Sequence, residues 1–107
     1  MSRLKIVTTE TFEAEVLQSQ IPVLVDFHAA WCGPCKASAP ALEDAAREFE
    51  GEIAFVKVDV DEEPTLARTY EVQGVPTFIV MKDGQPIERF QGLVSRGKLA
   101  AVLEPLA

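Results

Sequence analysis

The sequence predicts an α/β domain in which a central mixed five-stranded sheet is flanked by four helices. Three observations carry that prediction. Strand-like apolar runs alternate with segments of helical period as far as Tyr70, the pattern of successive βαβ crossovers. The run 23–27, Val-Leu-Val-Asp-Phe, is apolar on both faces apart from Asp26, as a strand covered on two sides should be. Two late strand-like runs are joined by a turn containing Asp83-Gly84, a hairpin signal.

Taken in order, residues 4–7 form a short β-type run. Thr9 is placed as the N-cap of a first helix, with Glu10 at its positive end and Phe12, Val16 and Leu17 at helical spacing. Pro22 closes the connection to the central strand. The second helix begins near Cys32 and Cys35. Leu42, Ala45, Ala46 and Phe49 form its buried stripe, and Gly51 stops it. Pro40 should bend this helix, because proline there removes a backbone donor and crowds the preceding turn. Residues 53–60 alternate Ala54, Val56 and Val58 against Phe55 and Lys57, giving another strand. Asp61 is expected to cap a short third helix through Pro64, Leu66, Ala67 and Tyr70. Strands over 77–82 and 87–91 follow. Ser95 caps a last helix whose Leu99, Val102, Leu103 and Leu106 share one face. The order βαβαβαββα implies three parallel strands and a closing antiparallel pair.

The 107 residues suit one domain spanning 1–107, and 48% hydrophobic with 25% charged is ordinary for a globular protein. A chain this long buries somewhat under roughly 70% of its unfolded surface, enough for a core without disulfide staples. The net charge of −7 and the lack of a basic run argue against nucleic acid and anionic membrane surfaces as partners. No stretch is long enough to span a membrane. Residues 1–9 lack the apolar core of a secretion signal, so the expected location is cytoplasmic. In that reducing compartment a close cysteine pair is better suited to react than to staple.

Cys32 and Cys35 are the two cysteines, three positions apart in Trp31-Cys32-Gly33-Pro34-Cys35. On a first helical turn that spacing brings both sulfurs to one side, close enough for a disulfide. Cys32 is expected at the exposed helix N-terminus, where unpaired amides and the helix dipole favour its thiolate. Cys35, one turn in, should be less exposed. Gly33 allows the tight approach to the helix, and Pro34 fixes φ in its first turn. The competing reading is half of a zinc site. Zinc needs four ligands, and the chain has only this pair and the single His28; Asp26 would complete a set, but it and His28 are read as lying on opposite faces of one strand. Asp26 itself, a carboxylate in a buried strand, is either satisfied by hydrogen bonds or pushed toward protonation near neutral pH.

These stretches resemble the thioredoxin family of bacterial type. The resemblance runs from about Phe12 to the last helix. It rests on Val25-Asp26-Phe27, Ala29, the run from Trp31 to Lys36, Ala39-Pro40, Val58-Asp59, Gly74-Val75-Pro76-Thr77, Asp83-Gly84 and Gly92. It implies the thioredoxin fold and a general protein-disulfide reductase. In that activity the Cys32 thiolate attacks a partner's disulfide, and Cys35 resolves the mixed disulfide to leave a Cys32–Cys35 disulfide. It further implies Asp26 as proton acceptor for Cys35, Lys57 as the partner of Asp26, and a cis peptide bond before Pro76. The residues alone favour trans at Pro76, since about 5–6% of X-Pro bonds are cis. Trp31, Gly33, Pro34, Gly74, Val75, Pro76, Gly92 and Leu93 are implied as the docking surface, with the Val75 backbone pairing an extended substrate. A core role for Trp31 is the competing reading. Electrons are implied to come from NADPH through a separate flavin-containing thioredoxin reductase. The chain has no glycine-rich phosphate loop of its own, and no bound cofactor or metal is expected. Its partners are then that reductase and disulfide-containing proteins, and its state a monomer.

The sequence departs from that pattern at His28, where bacterial thioredoxins usually carry tryptophan. A neutral packed imidazole is one expectation; a charged one stabilising the Cys32 thiolate is the other. Ala37 and Ser38 are smaller than usual after the motif and bear on docking. A rival class is a thioredoxin-fold binding or chaperone subunit with redox activity secondary. A disulfide oxidase or isomerase is the nearer enzymatic rival, disfavoured by Gly33-Pro34 between the cysteines.

Overall fold

A computed structural model describes residues 2–107; residue 1, the first position of the expected 1–107 domain, lies outside the described residues. The chain runs β1 (Lys5–Ile6), a π-helical turn (Glu13–Leu17), β2 (Val23–His28), α1 (Gly33–Glu48), β3 (Ala54–Asp59), α2 (Pro64–Thr69), β4 (Thr77–Lys82), β5 (Gln85–Gln91) and α3 (Arg96–Leu103). A 3-10 turn over Glu104–Leu106, begun at Pro105, prolongs α3. The sheet order is β1-β3-β2-β4-β5. β1 and β2 are both parallel to β3, whereas β4 is antiparallel to β2 and β5 to β4. The mixed sheet with three parallel strands is thus as the element order implied.

β2 lies at the centre and is buried on both faces. Leu24 packs on one side with Leu42, Ala45, Phe49, Phe78, Val80, Leu99 and Leu103, so α1 and α3 cover that face. Val23, Val25 and Phe27 pack on the other with Phe12, Val16, Val56, Val58, Leu66 and Ile79, beneath the π-helical turn and α2. Alternation along β2 puts Asp26 on the same face as Leu24, under α1. The parallel register sets Asp26 beside Lys57 on β3, and the antiparallel one sets it beside Phe78 on β4.

Several local expectations are corrected. Thr9 does not cap the first helix, which is a short π-turn starting after Phe12 without a side-chain cap. Its amide and hydroxyl both donate to Glu63 Oε1, at 2.9 Å each, and a side chain engaged there is not free to cap. Asp61 does not cap α2; Glu63 holds the N-cap position, again without a side-chain bond. Asp59 shapes that turn instead, accepting from the amides of Asp61 and Glu62 at 2.9 and 3.3 Å. β5 begins at Gln85, two residues earlier than expected. Asp83 and Gly84 both take positive φ (52° and 77°), giving a two-residue hairpin turn that lets Gln85 pair with Lys82 at once. Helix α1 continues through Pro40 to Glu48. Ser95 caps α3 as expected, accepting from the Lys98 amide at 3.1 Å. Both sheet edges are restricted: β1 has two residues, and β5 contains Pro86 beside a register shift opposite Val80 and Met81.

Candidate active site

The site forms where β2 runs into α1. Cys32 is the N-cap of α1 in extended conformation, and Pro34 sits in the first turn, where its missing N–H costs nothing. Cys32 and Cys35 are joined by a disulfide, with Cα atoms 5.2 Å apart. Cys32 Sγ also accepts the Cys35 amide at 3.1 Å, so the sulfur occupies the place of a capping oxygen. A thiolate there faces a backbone donor and the positive end of a sixteen-residue helix.

The exposures of the two cysteines are the reverse of the expectation. Cys32 is 2% exposed, while Cys35 is half-buried. The Cys32 amide donates to Ala29 O at 3.2 Å and its sulfur turns in over the first turn of α1. Cys35 instead borders a cavity of about 220 Å3, also lined by Asp26, His28, Ala30, Ala39 and Lys57. Exposure at a helix start is decided by what packs around it, and here the open space lies on the Cys35 side.

Asp26 is 7% exposed, and among the described residues nothing hydrogen-bonds its Oδ1. Burial pushes its pKa up to about 7, and the nearby Lys57 ammonium works against that rise. His28 lines the same cavity, so Asp26 and His28 share a face rather than opposing one another. Positions two apart on a strand always do. Burial lowers the His28 pKa, with Asp59 raising it and Lys57 lowering it further. That direction favours the neutral imidazole, and His28 shares the cavity wall with Cys35 rather than with Cys32. Among the described residues, no three His, Cys, Asp or Glu side chains gather as metal ligands. No helix among them is long and apolar enough to cross a membrane.

Four of the remaining predicted residues gather around a second depression, and Trp31, Gly33, Pro34 and Leu93 do not line it. Gly74, Val75, Pro76 and Gly92 line a groove of about 250 Å3 with Gln91. The Val75–Pro76 peptide bond is cis. Gly92, at φ 90°, donates its amide to Pro76 O at 2.9 Å and draws the two loops together. Gly33 and Pro34 are exposed. Trp31 and Leu93 are 70% and 69% exposed, which removes the core reading of Trp31.

Three contacts went unforeseen, two of them at residues singled out for other reasons, Asp61 and Ser38. Asp61 Oδ2 accepts from Trp31 Nε1 at 2.8 Å. Ser38, fully buried, donates to Pro34 O at 2.8 Å and accepts from the Val94 amide at 3.0 Å, tying the first turn of α1 to the segment after Gly92. Arg89 donates to the carbonyls of Tyr70 and Glu71 at 2.5 and 2.7 Å, holding the chain that leads to Val75. A small polar residue inside an apolar helix stripe was the available signal for Ser38. Sequence spacing offered none for the other two.

A redox-active disulfide at a helix N-terminus, beside a buried carboxylate on a mixed sheet, defines a thiol–disulfide oxidoreductase. The thioredoxin family model matches residues 3–105. Thioredoxin 1 of Nostoc is 44% identical over 104 residues, covering 97% of each chain. The thioredoxin of Mycobacterium tuberculosis is 48% identical over 98 residues, 92% of this chain and 83% of its own. That of Staphylococcus aureus is 48% identical over 98 residues, 92% of each. The chain belongs to the thioredoxin family. It is a protein-disulfide reductase, and the binding-subunit alternative is not favoured.

Proposed function

We propose that Cys32 is the attacking sulfur, Cys35 the resolving one and Asp26 the proton acceptor, within a single domain over 1–107. The Cys32 thiolate attacks a disulfide sulfur of the partner protein; a mixed disulfide forms and the partner's other sulfur leaves as thiolate. Cys35 then attacks Cys32 Sγ. Its proton passes toward Asp26, the bond to the partner breaks, and the reduced partner departs from the Cys32–Cys35 disulfide. The observation that carries this assignment is that Asp26, on the cavity that Cys35 borders, has an Oδ1 with no hydrogen-bond partner among the described residues. A base with a pKa near the working pH is half-ionised and gives up its proton again readily. Lys57, paired in register with Asp26, offsets the charge that Asp26 acquires.

Substrate docks on Trp31, Gly74, Val75, Pro76, Gly92 and Leu93, with the Val75 backbone pairing an extended segment around the target disulfide. NADPH, through a separate flavin thioredoxin reductase, restores the dithiol. The working form is a cytoplasmic monomer. Reduction of insulin disulfides, with dithiothreitol or the reductase as electron source, tests the assignment. Cys32→Ser should reduce the rate to background. Cys35→Ser should accumulate the mixed disulfide with the substrate, and Asp26→Asn should slow turnover most above pH 7. Wild-type activity in Cys32→Ser overturns the reading.

A further inference from the structure

Ser38 is the first buried position of α1 and the one polar residue of a buried stripe that continues through Leu42, Ala45 and Ala46. It is 0% exposed, so its hydroxyl must be satisfied within the protein. Its proton goes to Pro34 O at 2.8 Å, one turn back on the same helix. That bond fixes the rotation of the hydroxyl and leaves a lone pair free, which accepts the Val94 amide at 3.0 Å from 56 positions away. Val94 lies between β5 and α3 and is buried, so its amide has no ladder or helix to join. Two residues earlier the Gly92 amide is bound as well, to Pro76 O at 2.9 Å. Leu93 stands between these two ties and is 69% exposed. A side chain on a surface loop is ordinarily mobile; this one has a bound amide on either side.

We propose that Ser38 is a positioning residue for substrate docking: its hydroxyl, bridging Pro34 O and the Val94 amide, holds Leu93 where it meets an apolar side chain of the partner protein beside the target disulfide. The helix that carries the cysteines thereby sets where Leu93 stands relative to them. A contact that is already ordered costs a partner less to bind than one that must first be ordered. With the bridge gone, Leu93 samples other arrangements, and the apparent affinity falls by the fraction of molecules still in the docking one. A Ser38 that only satisfied the Val94 amide would affect stability and leave docking untouched. The inference rests on the reading that Leu93 belongs to the docking surface.

Full-length Ser38→Ala, Leu93→Ala and the double variant are compared with wild type in insulin reduction by dithiothreitol, at a temperature where urea curves show all four folded. Ser38→Ala should raise KM about threefold or more and change kcat less than about twofold, as when a third or fewer of the molecules are competent to dock. In the Leu93→Ala background the same substitution should no longer move KM, because the side chain it positions is gone. An unchanged KM in Ser38→Ala, or an equal rise in both backgrounds, overturns the proposal. Should Ser38→Ala fold poorly, Ser38→Thr and Ser38→Val replace it, since they share a branched shape and only Ser38→Thr keeps the hydroxyl. KM for Ser38→Val should then exceed that for Ser38→Thr by about threefold or more, and equal values overturn the proposal. An unchanged KM in Leu93→Ala removes Leu93 from the docking surface and the role of Ser38 with it. A raised KM there beside a silent Ser38→Ala removes only the role of Ser38.

Discussion

The indole Nε1 of Trp31 donates to Asp61 Oδ2 across 2.8 Å, so a side chain that is 70% exposed is nonetheless held in place beside Cys32. Hydrogen bonds to charged groups contribute about 1.5–3 kcal/mol, and solvent exposure holds this one to the low end or below, which bounds the effect of losing it. Asp61→Ala should leave the unfolding midpoint nearly unchanged and raise KM for insulin about threefold to fivefold, with kcat little altered. Trp31 is the only tryptophan, so its fluorescence anisotropy reports the release directly. An unchanged anisotropy would show that the bond does not hold the ring.

Asp26 links the site to stability. Its folded pKa of about 7 lies above the ordinary value of 3.8, so the native state holds a proton that the unfolded chain has released. The stabilising contribution is complete below about pH 4 and is lost as pH rises through 7. Asp26→Asn, which never ionises, should therefore stabilise the protein at pH 8, by at most about 4 kcal/mol from that shift. The gain should shrink toward zero at pH 4. Urea unfolding at the two pH values checks this, and equal gains at both would contradict it.

Ser38→Ala leaves the buried Val94 amide without its acceptor and removes the clamp on Pro34 O. An unsatisfied buried donor costs about 1–3 kcal/mol. The urea midpoint should fall accordingly, and amide exchange at Val94 should quicken more than at Leu99.

Arg89→Ala should free the Tyr70 and Glu71 carbonyls and loosen residues 70–75. Glu71 holds a positive φ of 56°, a conformation that needs its surroundings to persist. Faster amide exchange confined to that segment, together with a higher KM for insulin, is the expected outcome. Exchange quickening across the whole sheet would instead mean general destabilisation.

Much of the fold was legible because periodicity and turn chemistry are local. The apolar run of β2, the Asp83-Gly84 turn and the Ser95 cap each depend on neighbours a few positions away. What failed depended on distant partners. Thr9 and Asp61 are good capping residues, yet Glu63 and Trp31 claim them from 54 and 30 positions away. The exposures of Cys32 and Cys35 were inverted because the empty space beside Cys35 is made by β2, β3 and α1 together. The facing of Asp26 and His28 was legible and misread, since a strand's two-residue repeat places them together.

The sheet's edges set how the molecule behaves in a crowd. A bare strand edge is a template on which a second copy can extend the ladder, and growth of that kind ends in fibrils. At one edge β1 offers two residues, too few to seat a strand, and at the other Pro86 lacks the amide that a neighbour would need while the register shift at Val80 and Met81 disturbs the ladder. The fold thus carries its own stop signals against edge-to-edge stacking, and a concentrated solution of it should remain free of sheet-borne aggregates.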